Sequence, residues 1–357
     1  MRQRAAAVLA LALLIAWIAP LAGVAVAGQD PSPYLRFPPR TETLAHASFS
    51  WSVFLLLSLP AATALVLFLM AMRPRTATAK PSFRFPAWGG AGLVLIAAGW
   101  FAAWHDVLPF EWRRQAFTPL WFGYIVLMNA LAHRHAGHSL LTHRTGWFLA
   151  LFPASAAFWW LFEHLNQFVD NWHYSGIEAR GDWDYFLQGS LPFSTVLPAV
   201  ASTWFWLRQC PRLELLRLPS LSASAPFAWA ALLAGALGLA AIGLWPEALF
   251  SMLWLGPLLL LLGLQKLLLG ETLLAPLARG DWRPLLQPAL AALLCGLLWE
   301  FWNWGSLARW HYSVPYVQRF HLFEMPLLGY AGYLPFGVTC ALAADTLAHL
   351  VERRGLY

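Results

Sequence analysis

Charge is what this chain has least of. Asp, Glu, Lys and Arg make up 11% of its 357 residues, under half of the roughly 25% usual in soluble domains. With 59% hydrophobic and 15% aromatic residues, the apolar surface exceeds what a water-soluble core encloses. Cysteine is also scarce. Cys210, Cys295 and Cys340 have no CxxC spacing, which excludes a disulfide frame or a cysteine zinc site and leaves buried free thiols. No P-loop, GxSxG, HExxH or dinucleotide fingerprint stands in a suitable context, so no cofactor is expected. The net charge of +6 is scattered one or two residues per loop, which argues against a nucleic-acid partner.

What the chain has instead is apolar runs of about 18 to 23 residues, each long enough to cross a hydrocarbon core of roughly 30 Å as a helix. Ten spans are expected, at residues 5–27, 47–72, 88–104, 118–132, 146–165, 186–207, 225–243, 247–265, 285–305 and 327–349. The fold class is therefore all-α, a polytopic transmembrane helix bundle. With the N-terminus inside, 16 of the 23 Lys and Arg residues fall in inner loops and 7 in outer ones, as the positive-inside rule requires. The inner segments are 73–87, 133–145, 208–224, 266–284 and both termini. This predicts a multi-pass protein of the bacterial inner (cytoplasmic) membrane, with membrane lipids as its surroundings and both termini cytoplasmic. Arg73-Pro74-Arg75 reads as a stop at the lipid headgroups. The first span ends Ala25-Val26-Ala27 before Gly28, like a signal-peptide cleavage site. Its length exceeds the usual apolar region of about 7 to 15 residues, so a retained helix is expected.

The chain also repeats itself. Trp121 and Gly123 match Trp254 and Gly256 at an offset of 133, and the same offset carries Gly137-His138-Ser139-Leu140-Leu141 onto Gly270-Glu271-Thr272-Leu273-Leu274. Glu163 and Asn166 match Glu300 and Asn303 at 137, and Trp172-His173-Tyr174 matches Trp310-His311-Tyr312 at 138. Leu191-Pro192-Phe193 matches Leu334-Pro335-Phe336, and Ala87-Trp88 matches Ala228-Trp229. The expected organisation is N-terminal spans (1–117), a first copy (118–207), a connecting span (208–246) and a second copy (247–357). Corresponding helices lie four spans apart, which gives a direct, parallel repeat about an axis along the membrane normal.

Residues three apart share a helix face, so each glutamate lies beside its asparagine. A glutamate at that depth is costly unless protonated, paired or wet. Were the pseudo-two-fold to bring the carboxyls within about 4 to 6 Å, repulsion would favour holding one proton between them. Against that stands the plainer account of interhelical hydrogen bonds and interfacial aromatic anchors. His133, His135, His138 and His143 form a histidine-rich inner loop, read as solvated because the second copy has Lys266, Leu268 and Glu271 at matching positions. Asp345 and His349 form an i to i+4 pair, and Asp170, Asp182 and Asp184 are expected in solvent.

The Glu-x-x-Asn and Trp-x-Tyr pattern, the segment Phe323 to Tyr330 and the Gly-x-Ser-Leu-Leu loop together resemble an uncharacterised group of bacterial polytopic membrane proteins. In layout, the tandem three-helix copies also resemble the membrane-embedded lycopene cyclases of carotenoid biosynthesis. That resemblance implies metal-free protonation of a polyene, with Glu163 or Glu300 as proton donor and Trp172, Tyr174, Trp310 and Tyr312 sheltering the cation. The cyclases' Pro-x-Glu-Glu signature is absent, since Pro326 leads into Leu327-Leu328-Gly329. The expected function is a cofactor-independent enzyme acting on a lipid or isoprenoid, a hydrophobic small-molecule substrate. Glu163 and Glu300 would be catalytic, and Asn166, Asn303, Trp172, His173, Tyr174, Trp310, His311 and Tyr312 would bind substrate. The alternatives are a proton-coupled transporter or lipid carrier, and a structural subunit of a membrane complex.

Overall fold

A computed structural model of the chain describes residues 1–41, 44–71, 82–210, 213, 218–222 and 224–356. Arg73-Pro74-Arg75 and parts of the 208–224 loop lie outside the described residues. The chain is mostly helical. Eleven helices carry the architecture: α1 (Arg2–Val26), α2 (Trp51–Ala71), α3 (Trp88–Trp104), α4 (Phe117–Ala136), α5 (Thr145–Asn166), α6 (Asp182–Phe193), α7 (Val196–Leu207), α8 (Ala225–Ile242), α9 (Met252–Leu264), α10 (Arg283–Gly305) and α11 (Tyr333–Val351). Among the described residues, seven helical segments are long and apolar enough to cross a membrane: α1, α2, α5, α8, Met252–Leu269, α10 and Leu327–Val351. The chain is thus a multi-pass membrane protein by length and composition. α3 is a shorter apolar helix of 17 residues, and α4 ends in the polar run His133, Arg134, His135.

The span expected at 186–207 is two helices. Pro192 removes a backbone donor, and the ladder breaks between α6 and α7. Ser155 on α5 bridges the gap, its hydroxyl donating to the Phe193 carbonyl at 2.6 Å and accepting from the Leu197 N–H at 3.0 Å. One serine therefore stands in for the ladder bond between Leu197 N–H and the Phe193 carbonyl.

Two helix ends at matched sequence positions close alike. Gly137 ends α4 at φ +77°, and Gly270 ends the π-helical turn Gln265–Leu269 after α9 at φ +88°. Both are left-handed conformations that glycine adopts without steric cost. Asn129 and Gln265 are likewise comparable. The Asn129 side chain donates to the Ser202 hydroxyl and accepts from Leu141 N–H, while that of Gln265 donates to the Thr346 hydroxyl and accepts from Leu273 N–H.

Helix packing is governed by small residues that let backbones approach. α3 lies along α4 and α8 along α9. A side chain at Gly92 would sit 2.8 Å from the Gly123 carbonyl oxygen, and one at Gly123 would sit 2.7 Å from that of Gly92. α1 presents Ala5, Val8, Ala12, Ala16, Pro20 and Gly23 to the bundle, packing on α8, α9 and α11. Trp17 of α1 stacks on His164 of α5 with centroids 3.8 Å apart. The three cysteines are free thiols.

Gly123→Val places two methyl groups against backbone atoms, so it is expected to destabilise the bundle by about 1–3 kcal/mol and to lower the apparent melting temperature in heated, detergent-solubilised size-exclusion runs. Gly90→Ala, where an added Cβ meets nothing within 4 Å, is expected to leave it unchanged.

Candidate functional site

The repeated polar residues converge at one end of the bundle, where α5 and α10 terminate. Beyond α5 the chain forms β1 (Trp172–Ser175), and beyond α10 it forms β2 (Arg309–Tyr312). The two strands pair antiparallel, Trp172 opposite Tyr312, His173 opposite His311 and Tyr174 opposite Trp310. This register maps onto itself when the two triplets are exchanged. A second short pair, β3 (His321–Leu322) with β4 (Met325–Pro326), closes the same end.

Asn166 and Asn303 build these strands instead of facing a ligand. The Asn166 amide donates to the Trp172 carbonyl at 2.7 Å, and its oxygen accepts from Asn171 N–H at 2.9 Å. The Asn303 amide donates to the Trp310 carbonyl at 2.8 Å and its oxygen accepts from Trp310 N–H at 2.9 Å. Each asparagine thus serves both groups of a backbone that has just left a helix.

The glutamates are buried, Glu163 at 2% and Glu300 at 0% exposure. Glu163 Oε1 accepts from Tyr174 OH at 2.5 Å, Trp159 Nε1 at 2.9 Å and Trp172 Nε1 at 3.1 Å. Glu300 Oε1 accepts from Tyr312 OH and Tyr333 OH, both at 2.8 Å. The other oxygen, Glu300 Oε2, is buried without a hydrogen-bond partner. Among the described residues no cation pairs with either carboxyl, and no hydrogen bond joins the two. Each therefore has its own donor set, in place of the shared proton that close approach would have produced.

The donors form the wall of a cavity of about 130 Å³. Tyr174, Tyr312 and Tyr333 line it together with Trp172, Trp254 and Trp299. The lining comes from the ends of α5 and α10, the starts of α4, α9 and α11, the strands β1 and β2, and one face of α6. The glutamates lie one hydrogen bond behind this surface. Burial, and then the neighbouring carboxyl, holds the Tyr174 and Tyr312 hydroxyls well above the ordinary phenol range, so both stay neutral donors.

Strand alternation sends His173 and His311 to the opposite face from Tyr174 and Tyr312. They do not line the cavity. Their rings stack with centroids 5.4 Å apart, Ser175 Oγ lies 2.9 Å from His311 Nε2, and His311 Nδ1 lies 3.3 Å from Glu324. Burial first, and the His311 ring second, hold His173 below the ordinary imidazole value. Elsewhere, Asp182 is not simply solvated, since it pairs with Arg36 at 3.1 Å and Arg40 at 2.9 Å. Asp345 Oδ2 lies 3.7 Å from His349 Nε2 and also accepts from Gln265.

Several lining residues carry no mark in the repeat pattern. Trp159 has a local signal, lying four residues before Glu163 on one helix face. Tyr333 and Trp299 have none, because a tertiary contact brings the first to Glu300 and the second to the cavity. Compared with protein-family models, curated proteins and solved structures, the chain has no match.

Two outcomes test this geometry. Asn166→Ala leaves the Trp172 carbonyl and the Asn171 N–H without partners, and is expected to cost about 1–3 kcal/mol, read as a lower melting temperature in detergent. For His173, a native value below the unfolded one means that the folded chain binds the proton less readily. Stability is then full above about pH 6.5 and declines as the pH falls below it. The melting temperature is expected to drop between about pH 7.5 and about pH 5.5, and His173→Gln is expected to flatten that dependence.

Proposed function

We propose that this chain is a cofactor-independent enzyme that isomerises or cyclises a lipid or isoprenoid, with Glu163 and Glu300 acting as base and acid through the tyrosines that separate them from the cavity. The supporting observation is that each carboxyl ends on a cavity-lining tyrosine hydroxyl, at 2.5 Å for Tyr174 and 2.8 Å for Tyr312 and Tyr333. Three donors on one oxygen suit an ionised carboxylate at Glu163. Two donors on one oxygen and none on the other suit a carboxylic acid at Glu300.

A phenol held well above its ordinary range does not rest as phenolate, so transfer is concerted. As a tyrosine beside Glu300 turns its O–H from the carboxyl to an alkene carbon and gives up that proton, it takes one from the Glu300 carboxyl. A carbocation forms, sheltered by the indole faces of Trp254 and Trp299. Tyr174 then accepts a proton from a neighbouring carbon while passing its own to Glu163, and the electrons of the broken C–H bond form the new double bond. The substrate's proton count is unchanged, Glu163 ends protonated and Glu300 ionised, and loss of one proton to water and gain of another restores the starting state without an oxidant.

Transport would require access from both ends, whereas the lining comes from one. A scaffold's carboxyls would end on arginine or backbone, and these end on tyrosine and tryptophan. The wider reading is of ten spans in the bacterial inner membrane, both termini cytoplasmic and the first helix retained. Residues 118–207 and 247–357 would be parallel copies. Supporting the repeat are the self-matching register of β1 and β2, the like ends at Gly137 and Gly270, and the like roles of Asn129 and Gln265.

The test is untargeted lipid mass spectrometry on cells expressing wild type, Glu163→Gln, Glu300→Gln or Tyr312→Phe. One lipid is expected to rise and an isomer of the same mass to fall in the variants, with turnover lowered about 10²-fold or more for the glutamate changes. Identical profiles in all four strains would sink the enzyme reading.

A further inference from the structure

We propose that the ligand is an anionic amphiphile, its oxyanion head held at the cavity mouth by Arg114 and Arg309 and its chain laid inward over the tyrosines and tryptophans. This rests on the cavity being a lipid site and names the class of lipid. Among the described residues, Arg114 and Arg309 are the only charged side chains that line the cavity. Arg114 stands just before α4 and Arg309 at the start of β2, where the chain lies outside the long helices. The Arg114 guanidinium donates to the Glu178 carbonyl at 2.6 Å and pairs with Glu111 at 2.5 Å, while its Nε is buried without a partner. Arg309 donates to the Trp304 carbonyl at 3.2 Å, and among the described residues no carboxylate pairs with it. A guanidinium carries five N–H donors in a planar fork that matches phosphate and carboxylate, and the Trp304 carbonyl takes one of Arg309's.

Glu111 offsets the Arg114 charge, so the charge left for a ligand is chiefly that of Arg309, while Glu163 and Glu300 are bonded to tyrosine and tryptophan behind the wall. Deeper in, the indole N–H groups of Trp254 and Trp299 engage no acceptor among the described residues, and both rings line the cavity. The gradient therefore runs from cationic rim to aromatic interior, which fits a charged head followed by an unsaturated or saturated chain.

Two further features favour a lipid over a free anion. α6 has two faces: Tyr185, Gln188, Gly189 and Pro192 line the cavity, while Trp183, Leu187 and Leu191, at 70%, 45% and 54% exposure, point away from the bundle. An outward apolar stripe at helical spacing suits contact with acyl chains, so the cavity is screened from lipid by a single helix. The turn Leu327–Gly332 is similarly two-sided. Gly329 and Gly332 face the cavity, while Leu327, Leu328, Tyr330 and Ala331 face a larger apolar cleft of about 690 Å³ between α2 and helices α9, α10 and α11. Space for hydrocarbon thus lies one turn of backbone from the polar site, with no side chain on the two glycines to thicken the wall.

The test is equilibrium binding to the full chain in phosphatidylcholine nanodiscs, corrected for empty discs, with dodecyl phosphate, dodecan-1-ol and inorganic phosphate as probes. Dodecyl phosphate is expected to bind at least about tenfold more tightly than dodecanol, and inorganic phosphate is expected not to displace it at equal concentration. Arg309→Gln is expected to remove most of that preference, Arg309→Lys to retain part of it, and dodecanol binding to be unchanged in both, which also shows that the cavity is intact. Equal affinity for the phosphate and the alcohol would overturn the anionic head while leaving the lipid site standing. Displacement by inorganic phosphate would overturn the amphiphile. Binding of neither dodecyl probe would overturn both this inference and the lipid-site reading beneath it.

Discussion

A carboxyl group buried at a helix end with no cation beside it has to be met by neutral hydrogen-bond donors, and much of this end of the bundle follows from that requirement. Ionised carboxylates withdrawn from water cost several kcal/mol unless their lone pairs are satisfied. Tyrosine and tryptophan answer the need in an apolar setting because each joins a large hydrophobic body to one polar tip. Tyr174 can reach Glu163 only if the chain turns back directly after α5, and Asn166 makes that turn by taking over the backbone groups of Asn171 and Trp172. The same sequence of needs at Glu300 yields Asn303, Trp310 and Tyr312. Pairing β1 with β2 then ties the two solutions together and leaves a cavity walled by the donors themselves.

This dependence explains which parts of the site were legible in the sequence. The Glu-x-x-Asn spacing and the two Trp-His-Tyr triplets stood out because they occur twice, and the structure brings all of them to one place. Their division of labour was not legible. A helical reading puts Asn beside Glu as a potential partner, yet the asparagines turn to the backbone, because a chain leaving a helix exposes groups that a side-chain amide is well suited to satisfy. The triplets read as interfacial anchors, since four-residue strands whose partners lie 134 to 140 positions away leave no local hydropathy signal. Once they are strands, the period of two separates the tyrosines from the histidines without further assumption. A hydropathy window also cannot see the break between α6 and α7, where a single serine hydroxyl substitutes for a missing ladder bond.

The two carboxyls are alike in plan and unlike in detail, and the difference bears on chemistry. Glu163 collects three donors on one oxygen, two of them indoles fixed by the packing of α5 and β1. Glu300 collects two phenols and leaves its second oxygen bare. Trp310, the counterpart of Trp172, donates to Tyr312 OH at 2.8 Å, feeding the hydroxyl that itself feeds the carboxyl. In the acid and base roles proposed above, the two groups need environments that differ, because two identical groups would compete for the same proton state. Divergence within a repeated pattern supplies that difference while holding both groups against one wall. Strand pairing common to the two motifs places the carboxyls, and their donor sets distinguish them.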